Sequence, residues 1–139
     1  MLHYETIEPN TLELLRRLQS LQCLKNMRLV GGTSLALQLG HRKSVDLDLF
    51  GNIECDADEL KEAVSSCGAM KLLKDSTNIH IFPVDGVKVD VINYKYPWLD
   101  DAIIEDGVVL ASEVSSIQSV YFFVVYRLNC AFIIAVLSL

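Results

Sequence analysis

The 139-residue sequence predicts one α+β domain built on a mixed α/β sheet. Three observations carry that expectation. Leucines recur at helical spacing near the start of the chain. Short strand-like runs alternate apolar and polar residues, and helical and extended segments interleave before giving way to a meander of strands. The length fits a single domain over residues 1–139, enough to bury about two-thirds of the surface an unfolded chain exposes.

The first helix is read over Thr11–Leu24, with Leu12, Leu15, Leu18 and Leu21 as its apolar stripe and Asn10 or Thr11 as its N-cap. "MRLVGG" reads as a buried strand ending in a glycine turn, and "TSLALQLG" as a short helix capped by Thr33 and stopped by Gly40. In "SVDLDLF" strict alternation sets Val45, Leu47 and Leu49 on one face and Ser44, Asp46 and Asp48 on the other. "DADELKEAVSSCG" is a second amphipathic helix, starting near Asp56 or Asp58 and ending at Gly68. "MKLLKD", "IHIFPV" and "VKVDVINY" are strand-like, the last two joined by a hairpin turn at Val84–Gly86.

Composition narrows the function. Twelve basic residues against 18 acidic ones give a net charge of −6, which makes a poor non-specific nucleic-acid binder; any such contact must be local, for instance around Arg42 and Lys43. Cys23, Cys55, Cys67 and Cys130 show no CxxC spacing and no pairing with histidines, which argues against zinc. They read as free, mostly buried thiols in a reducing cytoplasm. The N-terminal "MLHYETIEPN" has no apolar stretch and is not a signal peptide. Residues 120–139 form an apolar run whose single charge is Arg127. Length alone permits a membrane span. The mid-run arginine would cost about 2.5 to 3.5 kcal/mol, so a buried helix or strand is favoured over membrane association.

The chemistry concentrates in "LVGGTSLALQLGHRKSVDLDLF". Asp46 and Asp48 share a strand face, and two adjacent carboxylates repel unless a cation lies between them. Magnesium suits that role, since it binds one or two carboxylates plus substrate phosphates. Gly31 and Gly32 let the backbone approach a ligand, and Thr33 stands where a helix N-terminus favours anions. In "VKVDVINY" the alternation sets Asp90 apart from the valines, so it joins Asp46 and Asp48 if the two strands are neighbours. Three carboxylates beside a phosphate-binding turn make a two-metal phosphoryl-transfer site.

"GGTSLAL", "GHRKSVDLDLF" and "VKVDVINY" resemble the nucleotidyltransferase superfamily and, more closely, its AbiEii-type toxins of abortive-infection and toxin–antitoxin pairs. The resemblance covers about residues 27–110. It implies a polymerase-β-like core in which Gly31, Gly32 and Thr33 hold the phosphates of a nucleoside triphosphate. Asp46, Asp48 and Asp90 would bind Mg2+ and carry catalysis, with Arg42 and Ser44 contacting phosphate or positioning the carboxylates. RNA, including tRNA, is an acceptor type the resemblance implies, and a cognate antitoxin protein is the implied partner. The family's lysine-bearing helices have no counterpart here: residues 113–139 are an atypical C-terminal segment without lysine, which suggests truncation or a shifted reading frame. Two readings follow, an active transferase or an inactive relative that binds nucleotide or antitoxin.

Overall fold

The structure is a computed structural model that describes residues 1–71, 74–75 and 78–117. Helix α1 (Pro9–Ser20) begins two residues before the expected start, and neither Asn10 nor Thr11 caps it. Pro9 occupies the first helical position, where its fixed φ suits a helix and its missing N–H costs nothing. The helix also ends early. Leu21 is extended, and Gln22–Leu24 form a separate 3-10 turn.

Strand β1 (Met27–Val30) leads directly into α2 (Gly31–Leu39), which Gly40 terminates in the left-handed conformation with its N–H on the Ala36 carbonyl at 2.8 Å. Thr33 does not cap α2. It is the third residue of the helix, and Val30 holds the cap position without a side-chain bond. Strand β2 (Leu47–Gly51) follows, then α3 (Ala57–Ser65), capped by Asp56, whose side chain accepts the Glu59 N–H at 2.9 Å.

Next come β3 (Lys74–Asp75), β4 (Ile79–Val84) and β5 (Val87–Asn93). Asp85 and Gly86 join β4 to β5 with φ +49° and +82°, the turn whose twist matches antiparallel strands. Among the described residues, strands β6 (Ile103–Glu105) and β7 (Val108–Leu110) complete the sheet; neither was expected from the sequence. They form a second hairpin on the same chemistry, with Asp106 and Gly107 at φ +51° and +78°.

The seven strands run in the order β3-β4-β5-β2-β1-β7-β6, with β2–β5 and β1–β7 parallel and the other neighbours antiparallel. One face buries Leu29, Leu47, Leu49, Val89 and Val91 against Leu14, Leu15 and Leu18 of α1, Leu37 of α2 and Leu60 and Val64 of α3. Each such fully buried leucine contributes roughly 1.5–3 kcal/mol relative to exposure. The opposite face carries a smaller cluster around Val30, Phe50, Ile92 and Tyr94, with Trp98 against it.

The cysteines depart from expectation. Cys23 and Cys55 form a disulfide with Cα atoms 5.3 Å apart, whereas Cys67 is a buried free thiol as expected. Cys130, and with it the reading of residues 120–139 as a buried segment or membrane span, lies outside the described residues. Among the described residues no helix is long and apolar enough to cross a membrane.

Candidate active site

The parallel pairing of β2 with β5 sets Asp48 directly beside Asp90, and the antiparallel pairing of β1 with β2 sets Val30 beside Asp48. The chain leaving Val30 therefore turns over the carboxylates. Gly31 makes that turn at φ +73°, and a Cβ there would stand 2.6 Å from Asp48 Oδ2. Only glycine allows the backbone so close. A Cβ on Gly32 would collide with the Arg42 guanidinium, so the second glycine makes room for a cation over the helix start.

Thr33 has a different role from the one its position suggested. It is buried, and its hydroxyl donates to the Asp46 carbonyl. With that proton committed, the buried Ser44 hydroxyl is the donor in the 2.6 Å bond between the two side chains. Thr33 and Ser44 therefore tie the start of α2 to the segment that carries Asp46. Neither hydroxyl points freely toward a ligand.

Asp90 is 5 % exposed. Its Oδ1 has no hydrogen-bond partner, and its Oδ2 lies 3.5 Å from Lys88 Nζ. Burial, then the charge of Asp90 and a hydrogen bond with it, push the Asp48 carboxyl up to about 7, against a smaller opposing pull from Lys88. The pair thus resists double ionisation.

Two cavities share Asp46 and Asp48 as a common wall. One, of about 210 Å³, is lined also by Gly31, Lys88 and Asp90; the other, of about 180 Å³, by Gly32, Thr33, Arg42 and Ser44. Every residue expected from the sequence lines one or the other. Asp46 precedes β2 and is exposed, and among the described residues no three acidic, histidine or cysteine side chains are grouped to hold a metal ion, so the expected three-carboxylate set is not assembled. Asp48 and Asp90 nevertheless fit a divalent cation. The donors are hard oxygens, Oδ1 of Asp90 is orphaned, and Gly31 leaves the space above Asp48 without a side chain. Lys88, which the sequence favours as part of a solvated strand face, also lines the first cavity, on the Asp90 face of β5.

A mixed sheet with paired carboxylates on neighbouring strands, beneath a Gly-Gly turn that opens a helix, is the core of a nucleotidyltransferase. The chain belongs to the AbiEii family, described as nucleotidyl transferase AbiEii toxin, Type IV TA system, whose model matches residues 13–114. It is 32% identical over 91 residues to an uncharacterized protein of Aquifex aeolicus (strain VF5), covering 64% of this chain and 44% of that protein. The chain thus spans less than half the length of this curated relative. The crystal structure of JHP933 from Helicobacter pylori is similar in fold, with a TM-score of 0.60 at 19% identity over 81% of this chain and 53% of that one. The Thermotoga maritima CCA-adding enzyme complexed with tRNA has a TM-score of 0.50 at 25% identity, over 64% of this chain and 22% of the enzyme.

Proposed function

We propose that this protein transfers a nucleotide from a nucleoside triphosphate to an RNA acceptor in a magnesium-dependent reaction. The observation that carries the reading is the Gly31 backbone packed against Asp48, itself in register with the orphaned carboxylate of Asp90. The backbone N–H groups at the start of α2, unpaired within the helix, bind the triphosphate, and Arg42 adds positive charge above them. Asp48 and Asp90 are the residues that would hold magnesium, with Asp46 on the same cavity wall; the ion would supply charge neutralisation to the triphosphate and a polarised α-phosphate.

Asp90 accepts the proton of the attacking acceptor hydroxyl, and Lys88 holds its other oxygen. The acceptor oxygen bonds to the α-phosphorus as the α–β phosphoanhydride breaks, and pyrophosphate leaves with the bonding pair. The tRNA bound to the Thermotoga maritima enzyme supports RNA as the acceptor class, and the family's toxin–antitoxin description supports an antitoxin partner. A triphosphate donor puts the reaction in the cytoplasm, where the Cys23–Cys55 bond would meet a reducing glutathione pool.

The test uses purified protein, bulk RNA and each labelled nucleoside triphosphate in turn, with and without magnesium. Label should enter RNA only with magnesium, and Asp48→Ala or Asp90→Ala should lower transfer by at least about a hundredfold. Triphosphate binding without transfer in any combination would identify a nucleotide-binding relative that does not turn over.

A further inference from the structure

The sheet face that bears the carboxylates carries a further, larger cavity of about 610 Å³. Strand alternation fixes where it lies. Arg28 shares a face of β1 with Val30, Phe50 shares a face of β2 with Asp48, and Ile92 on β5 and Tyr94 just past its end follow Asp90. This face runs from the acidic pair across Val30, Phe50 and Ile92 to an aromatic cluster of Tyr94, Tyr96 and Trp98. From Asp90 to Tyr94 is four residues, about 13 Å at roughly 3.3 Å each. The two sites lie on one track.

The cavity's walls combine those three rings with Lys25, Arg28 and Lys95; among the described residues no carboxylate lines it, and Glu54 at its edge accepts from the lining Asn26 and Asn52. On a chain of net charge −6 three cations around one cavity are a local excess of positive charge, with Glu54 and Asp101 the nearest opposing groups. Its framework is held rigidly. The Arg28 guanidinium lies 4.6 Å from the Trp98 ring centroid while Nη1 donates to the Asp100 carbonyl at 2.8 Å. The Trp98 and Tyr94 centroids are 4.9 Å apart, and those of Tyr94 and Tyr96 are 5.5 Å apart. Tyr94 is buried in the core, whereas Tyr96 is 58% exposed.

We propose that this cavity receives unpaired nucleotides of the acceptor RNA, with a base stacking on the exposed Tyr96 ring beside Trp98 and phosphates meeting Lys25 and Lys95. The inference rests on RNA being the acceptor. Exposed aromatic faces interleaved with cations are what single-stranded nucleic acid needs, because every base offers a flat face and every linkage a charge. The short distance to the acidic pair lets one strand occupy the cavity while its end reaches the transfer site. An acidic peptide would use the lysines but leave the ring faces without a role.

Trp98 is the only tryptophan in the chain, so its fluorescence reports directly on the cavity. Titrating the full-length protein with a short oligouridylate should quench Trp98 saturably, and polyglutamate at equal charge should not. Tyr96→Ala should weaken binding by about fivefold or more. Lys25→Ala and Lys95→Ala should each lower the slope of log affinity against log salt by about 0.7. Circular dichroism and near-native urea midpoints would establish that these surface variants fold.

In the transfer assay the same variants should raise KM for RNA and leave KM for the triphosphate unchanged. Transfer into RNA that is unaffected by these substitutions, without quenching, would overturn the proposal while leaving RNA as the acceptor. Quenching and lysine dependence without any transfer would support the cavity as an RNA site and count against the transferase reading. Equal quenching by polyglutamate would overturn it in favour of an acidic protein partner.

Discussion

At the scale of single residues, Asp48 is a carboxyl set against itself. Its ordinary value of 3.8 is pushed to about 7 by burial and by Asp90, so between those values the folded chain binds more protons than the unfolded chain. Stability from this group therefore falls as pH rises through that window, with a limiting slope of about 1.4 kcal/mol per pH unit. Urea denaturation in metal-free buffer should find the protein more stable near the lower end of the window than above it, and Asp48→Asn should flatten the profile. An unchanged profile in that variant would assign the proton to another group. Gly31 can be separated from other left-handed glycines in the same way. Gly31→Ala meets both a positive φ and the Asp48 carboxylate, whereas Gly86→Ala at φ +82° meets no atom within 4 Å. The second should cost about 1 kcal/mol, and the first should cost about 1–3 kcal/mol and also suppress transfer. The carboxylates and glycines were legible because spacing alone betrays them. The hydroxyls of Thr33 and Ser44 were not, since their mutual bond depends on how the segment after α2 folds back.

At the scale of elements, α3 tests how much a local signal is worth. Asp56 accepts the Glu59 N–H, so Asp56→Ala should lower stability by about 1 kcal/mol in thermal or urea unfolding without altering transfer. A loss of activity out of proportion would implicate the neighbouring loop. The α3 start, the β4–β5 hairpin and the Gly40 stop were all legible, since caps, Asp-Gly turns and helix-ending glycines act within a few residues. The first helix was misplaced because its leucine stripe continues past Ser20 into a 3-10 turn. Hairpin β6–β7 was missed for a different reason. Its three-residue strands are too short to display alternation, and they are fixed by distant pairing of Leu110 with Leu29.

At the scale of the whole molecule, the site is assembled by strand order. Asp48 and Asp90 belong to strands separated by α3, β3 and β4, and only the parallel pairing of β2 with β5 brings them side by side. Local pattern reveals which face each aspartate occupies, but neighbourhood is a property of the sheet. The disulfide obeys the same logic. Met27 pairs with Gly51, so the chain ends leaving that hairpin run on together toward Cys23 and Cys55, a relation invisible until the register is known. For a sequence separation of 32, chain-entropy arguments give the bond on the order of 3–4 kcal/mol, and reduction should lower the urea midpoint accordingly. The bond also changes what a protease can achieve. It closes β1, α2 and β2 into a covalent ring, with Arg42 and Lys43 exposed on its outer arc. Trypsin cutting once there should yield two fragments on a reducing gel and a single undiminished species without reductant. A nick through this arc would thus break the backbone while the molecule stays whole.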